Sequence, residues 1–302
     1  MQQQRFQDVL GFLAPLNPTK AIETIRVPIK YKDLETDEEK FKLEDRPFLD
    51  PHSIIRFLFQ EGKLKIPEHH VRRYWEHSAN FGEEWAKTVD NHQMIPLGIF
   101  GDGATISTEF GSASVIGLFL SVVLWRPRSI RASRFLLFSI PEAELWSHHT
   151  MSRVLRRLTW SLNALYNGRH PTVDPWGNEL PERMRSLSGT QITSDSLRFA
   201  TTEIRGDWSW HKKLWRFEKT SWNGIRMCHW CRAVASGEWS DLYWNLSNSS
   251  NFHNNHFSLE EFMEERMPSR GICHLPAVIS IGMAGWLANF KFLSRENPIV
   301  KP

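Results

Sequence analysis

The middle of the chain is divided into elements by its alternation of apolar runs and turn residues. Ile95 to Phe100 is an apolar run that predicts a buried strand, ending in Gly101-Asp102-Gly103. Ala104 to Phe110 extends this strand or pairs with it. Val115 to Trp125 is apolar and partly β-branched, and predicts a second strand. Pro127 and a group of arginines make a turn, and Arg134 to Ile140 forms a third strand. Pro141 is expected to open a helix, with Glu142 and Glu144 in its first turn, where carboxylates suit the positive end of the dipole. Leu145, Met151, Val154, Leu155, Leu158, Leu162 and Leu165 then keep helical spacing as far as Asn167-Gly168. A loop rich in Pro, Gly and Asn follows over 169–189. Leu197 to Ile204 predicts a fourth strand, and Asp207 opens a helix running to about Phe217.

Three strands in a meander, a crossover helix and a fourth strand predict an α/β fold with a mixed sheet. The crossover allows the fourth strand to lie parallel to the first. This is the element order of the first half of a ribonuclease-H-like core, here over residues 91–217. Residues 1–90 read as a separate, partly helical region. Pro15, Pro18 and Pro28 break its start, and 31–45 is acidic and exposed. Asp50 caps a short helix that has Pro51 at its first position and ends at Gly62. A second helix covers His69 to Trp85. The region is either a small DNA-binding module or a connector. Residues 218–302 form a Cys- and Trp-rich insertion and an incomplete C-terminal part. Ser258 to Arg266 is a short acidic helix with a capping-box spacing, and Leu275 to Phe292 is ambiguous between strand and helix.

Two aspartates carry the candidate chemistry. Asp102 and Asp207 each directly follow a glycine at the end of a predicted strand, the first and the fourth. Parallel pairing of those strands brings the two ends together. Clustered carboxylates can bind a pair of Mg²⁺ ions about 4 Å apart that promote in-line displacement at phosphate. Magnesium suits such a site because it needs few protein carboxylates and keeps water and phosphate oxygens as its other ligands. Each residue also has a plainer role open to it. Asp102-Gly103 is a common hairpin turn pair, and Asp207 a common helix N-cap. Glu260, Glu261, Glu264 and Glu265 are the dense candidates for a third acid, though their pattern fits a solvent-facing helix better.

Cys228-His-Trp-Cys231 is the second motif. Cys-x-x-Cys is half of a zinc site, and His253 with His256, or Cys273 with His274, could complete it. A redox dithiol lacks the preceding strand–helix context, and plain buried cysteines remain open.

Composition narrows the class. The chain has 302 residues, 41% of them hydrophobic, enough for a sizeable core. The longest apolar stretch, Val115 to Trp125, is too short to span a bilayer. The N-terminus lacks a secretory signal, and three cysteines are too few for a disulfide framework. A nuclear or cytoplasmic protein that is not secreted is expected. The net charge of +3 is unevenly spread: 126–157 and 205–232 each hold seven basic residues against two acids. A basic stripe around a small acidic centre suits a polyanion such as DNA, and equally an ordinary solvated surface. Seven of the fourteen tryptophans fall between Trp208 and Trp244. They could stack on exposed bases, but core packing is the commoner use of such residues.

Taken together, Ile95 to Gly103, Ile204-Arg-Gly-Asp-Trp208, Trp222-Asn223 and Met227-Cys-His-Trp-Cys-Arg-Ala233 resemble a multicopy family of transposon-like eukaryotic proteins. That family is similar to cut-and-paste transposases of the DDE/D superfamily. The resemblance covers roughly residues 50–280. It implies Asp102 and Asp207 as catalytic metal ligands and Cys228 and Cys231 as part of a zinc insertion. It also implies a further Asp after His274-Leu-Pro-Ala-Val278, yet no acid occurs between Arg270 and Arg295. The expectation is therefore a transposase-like DNA phosphoryl transferase, truncated, with activity lost if no other acid serves. The alternatives are a non-catalytic, zinc-stabilised nucleic-acid-binding protein using 205–244, or a structural remnant without activity.

Overall fold

The computed structural model describes residues 22–80, 94–108, 111–127 and 133–206, with Trp210, Val234, 236–242, Asn245, Ser247, Ser250 and Asn251 beyond them. The elements run β1 (Ile22–Lys32), β2 (Glu39–Leu49), α1 (Pro51–Gln60), α2 (Glu68–Asn80), β3 (Met94–Thr108), β4 (Gly111–Val122), β5 (Arg134–Pro141), α3 (Ser147–Asn167), α4 (Glu182–Arg185) and β6 (Arg198–Arg205).

Four strands form one mixed sheet in the order β5-β4-β3-β6. β3–β4 and β4–β5 are antiparallel, and β6 lies parallel to β3. This is the arrangement expected from the meander and crossover helix. β3 is longer than its apolar run: it continues through Asp102 to Thr108, and Asp102 pairs with Gly117 of β4. Asp102-Gly103 is thus mid-strand, not a hairpin turn.

One face of the sheet is the core face. Leu97 and Ile99 of β3, Leu118 and Leu120 of β4, and Phe138 and Ile140 of β5 are each at most 2% exposed. α3 packs on β6, β1 and α1, and contributes Val154, Leu155, Leu158, Leu162 and Leu165 to the same core. Leu145 lies outside α3. Pro141 ends β5, Glu142–Glu144 makes one 3₁₀ turn, and α3 begins only at Ser147. Here Thr150 Oγ1 accepts from Trp146 N at 3.0 Å and donates to Pro28 O of β1 at 2.5 Å. α3 ends as expected, with Gly168 left-handed at φ 68°.

The N-terminal region is not only helical. β1 and β2 pair over their full length as an antiparallel hairpin, Ile22↔Leu49 to Lys32↔Glu39. The acidic run is half of it, and its charges are answered across the ladder by Arg26–Asp45, Lys30–Glu39 and Lys40–Asp33 pairs. Such exposed pairs contribute at most about 1 kcal/mol each. The hairpin joins the core through Ile25, Val27, Ile29 and Phe48, whose ring lies 6.3 Å from that of Phe138. α2 is tied to the start of β3 by Trp75 Nε1–H donating to Met94 O at 2.8 Å. Among the described residues, no helix is long and apolar enough to cross a membrane.

Candidate functional site

The parallel β3–β6 pair determines where the candidate site forms. Met94↔Arg198 to Leu97↔Thr201 pair in step, then the register shifts by one residue, and Gly98 faces Glu203. Thr202 is the extra residue, a β-bulge, and its Oγ1 donates to Leu97 O at 3.3 Å. The cause lies in the alternation of β6. In step, Glu203 and Arg205 would share the core face with Ile99. The bulge turns both outward, where they pair at 2.5 Å, and turns Ile204 inward, 7% exposed.

The same shift sets which residues meet where the β3–β6 pairing runs out. Phe100 faces Arg205, and a β-carbon on Gly206 would lie 2.9 Å from Gly101 O. The two glycines that precede Asp102 and Asp207 in the sequence are therefore neighbours. Both must be glycine, because the indole of Trp210 fills the space on their core face. A β-carbon on Gly101 would come within 1.6 Å of Trp210 Cε2, and one on Gly206 within 2.5 Å of Trp210 Cε3. Trp210 is itself 3% exposed and belongs to the core.

Asp102 is exposed, on the sheet face opposite Leu97, Ile99 and the indole. Phe100 precedes it on that face, with the Phe119 ring 5.9 Å away and the Arg134 guanidinium 5.0 Å over the Phe100 ring. Asp102 forms no ion pair with a described residue. Asp102 alone supplies one oxygen ligand of the kind a hard cation such as Mg²⁺ takes, and a metal site there would need further carboxylates. Asp207 lies outside the described residues. So do Cys228, Cys231, His253 and His256 of the expected zinc site, the alternatives Cys273 and His274, and Glu260, Glu261, Glu264 and Glu265. Among the described residues, no three His, Cys, Asp or Glu side chains are grouped to hold a metal.

The basic stripe expected over 126–157 is partly consumed by packing. Arg157 is 7% exposed and grips Asp50 with two bonds, Nε–Oδ1 at 2.9 Å and Nη2–Oδ2 at 2.7 Å, while Nη1 donates to Thr24 O at 2.6 Å. Burial opposes its charge, but Asp50 holds it above the usual arginine range. Arg153 lies over the Trp176 ring, and Arg156 donates to Pro175 O. Arg134 remains exposed on the Asp102 face. Of the described tryptophans in the 208–244 cluster, Trp210 is core and Trp239 is 63% exposed.

A second polar group was not anticipated from the sequence. Asp50 makes no side-chain cap for α1, because its carboxylate is taken by Arg157. Beside it, His52 is 1% exposed, and its backbone N–H and Nδ1 both meet Ser161 Oγ, at 3.0 and 2.8 Å. His170 stands edge-on at 5.6 Å between ring centres. Burial lowers both histidines to about 4, so both are neutral at pH 7. The signal was available: Thr150, Arg157 and Ser161 share the apolar stripe of α3. This group is sealed in the core and offers no approach to a substrate. A cleft of about 500 Å³ by the hairpin is lined by Lys30, Glu39, Lys42, Glu44, Arg46 and Glu144, several of which pair with one another.

No family model matches the chain, and no curated protein or solved structure matches it either.

Proposed function

We propose that this chain carries a ribonuclease-H-like core descended from a cut-and-paste transposase, and that Asp102 and Asp207 serve metal-assisted phosphoryl transfer on DNA. The observation that carries the reading is the β3–β6 register. In a β5-β4-β3-β6 sheet the parallel pairing of β3 and β6 runs out at Phe100↔Arg205, a Gly-Asp follows on each chain segment, and a bulge at Thr202 brings the two glycines side by side. Gly-Asp is an otherwise unremarkable dipeptide. Its occurrence at both neighbouring glycines, with the Asp102 carboxylate exposed and in no ion pair with a described residue, supports two of the acids that the chemistry would use.

Asp102 and Asp207 would hold the metal. When bound, Mg²⁺ would supply an activated water or 3′-hydroxyl and stabilise the leaving oxygen at phosphorus. The remaining roles fall to the chain itself. Gly101 and Gly206 let the two chain segments approach, the core face excludes water behind them, and Arg134 offers positive charge on the Asp102 face for a phosphodiester. A Cys228/Cys231 zinc site belongs to the same proposal as a device for tying down the segment that follows.

The test is nicking of supercoiled plasmid DNA by the full chain with Mg²⁺ or Mn²⁺. The expected result is metal-dependent nicking that is lost in Asp102→Ala and in Asp207→Ala. Nicking that survives both substitutions together contradicts the reading. DNA binding that depends on zinc, with no cleavage under any metal, assigns the chain instead to non-catalytic nucleic-acid binding.

A further inference from the structure

We infer that Trp210 is a positioning residue for Asp102: its indole selects the bulged register that keeps Gly206 against Gly101. The inference rests on the functional reading above and names a residue that neither the aspartates nor the cysteine motif brings to attention.

The geometry is specific to one pairing. The indole spans both strands at once. Its Cε2, Cζ2 and Nε1 occupy the place of a β-carbon at 101, between 1.6 and 2.1 Å away, while Cε3 and Cδ2 occupy that at 206, at 2.5 and 3.0 Å. Only two glycines side by side leave room for it. If β6 slipped back by the one bulged residue, Arg205 would replace Gly206 opposite Gly101, and its side chain would enter the volume that the ring fills. A one-residue slip also exchanges the faces of the strand, driving Glu203 into the core. The buried ring and the bulge therefore enforce each other.

Asp102 inherits its placement from this arrangement. It is joined to Gly101 and points to the opposite face, so the ring behind the strand fixes the backbone from which the carboxylate projects. Trp210 touches no reacting group in this account. It acts through Gly101 and Gly206, as outer supports of metal ligands commonly do.

The experiment is a Mn²⁺ titration of the purified full chain, followed by the loss of the free-ion EPR signal, with urea unfolding run on each variant. The set comprises wild type, Asp102→Asn, Trp210→Phe, Trp210→Leu and the size swap Gly101→Ala with Trp210→Phe. The expected result is that Asp102→Asn abolishes tight binding. Trp210→Phe should keep a cooperative unfolding transition while binding Mn²⁺ about 10- to 100-fold more weakly. Wild-type affinity in a folded Trp210→Phe or Trp210→Leu protein overturns the inference and leaves the functional reading intact. Equal binding by wild type and Asp102→Asn, or no binding by wild type, removes the functional reading and with it anything for Trp210 to position. Failure of both Trp210 variants and the size swap to fold makes the residue purely structural and also overturns the inference.

Discussion

Trp210 packs against Gly101, so close that a methyl group on that glycine would sit 1.6 Å from the indole Cε2. A contact of that kind leaves no tolerance, because the ring is buried and cannot swing aside. Gly101→Ala should therefore lower stability by about 3 kcal/mol or more, the upper range for overpacking a core. Gly206→Ala meets the same ring at 2.5 Å and should cost less. By contrast, Gly103 has nothing within 4 Å of an added β-carbon, so Gly103→Ala should change stability little. Urea unfolding of the three variants checks the order, and equal effects at 101 and 103 would contradict the packing described.

Asp102 contributes little to holding the fold. It is exposed and forms no ion pair with a described residue. Asp102→Asn should leave the unfolding midpoint within the range of ordinary surface changes, about 0.5 kcal/mol. A large loss of stability would show that the carboxylate has a structural partner and would weaken its case as a metal ligand.

Asp50 is the reverse case. It is fully buried and is bound by Arg157 through two hydrogen bonds. Asp50→Asn leaves the guanidinium buried without its counter-charge, which should cost about 3–5 kcal/mol. Replacing both residues with leucine should cost less than Asp50→Asn alone, since no orphaned charge remains. Denaturant midpoints of the single and double variants decide this.

Acid should destabilise the protein through His52 and His170. Both are lowered to about 4, from an ordinary value of 6.5, first by burial. The unfolded chain therefore binds more protons than the folded one between those values. The stability they permit is complete above pH 6.5 and is lost as pH falls toward 4, by up to about 1.4 kcal/mol per pH unit for each ring. Unfolding free energies measured from pH 7.5 to 4.5 should show this slope, and His52→Gln should flatten it. A slope unchanged in that variant would exclude His52 as its source.

The sheet was legible wherever strands were buried on a face. The runs Ile95–Phe100, Val115–Trp125, Arg134–Ile140 and Leu197–Ile204 each gave a strand, though β4 starts at Gly111 and stops at Val122 and β6 starts at Arg198, and the α3 spacing gave a helix ending at Gly168. The β1–β2 hairpin was not legible. Pro28 interrupts β1, although Ile25, Val27, Ile29 and Tyr31 alternate there with polar positions, and β2 is mostly charged and exposed. The helix start at Ser147 was hidden because Pro141 and two glutamates mimic an N-terminus, while the chain needs one more turn to leave the sheet. Asp50 resembled a cap because local sequence shows the helix and not Arg157, which is 107 residues away. At the candidate site, the two Gly-Asp pairs could be read from the sequence, but not that β3 continues past the first to Thr108. The bulge at Thr202 and the ring of Trp210 that align them could not, because both depend on which face of β6 meets the core.

The distance between two carboxylates is the most direct test of a shared metal site. A crystal of the full chain grown with Mn²⁺ should show Asp102 and Asp207 both ligating metal. Their oxygens should lie within about 8 Å, the reach of two ions roughly 4 Å apart with a metal–oxygen bond at either end. Carboxylates farther apart than that, or Mn²⁺ held elsewhere with Asp102 free in solvent, would contradict the shared metal site.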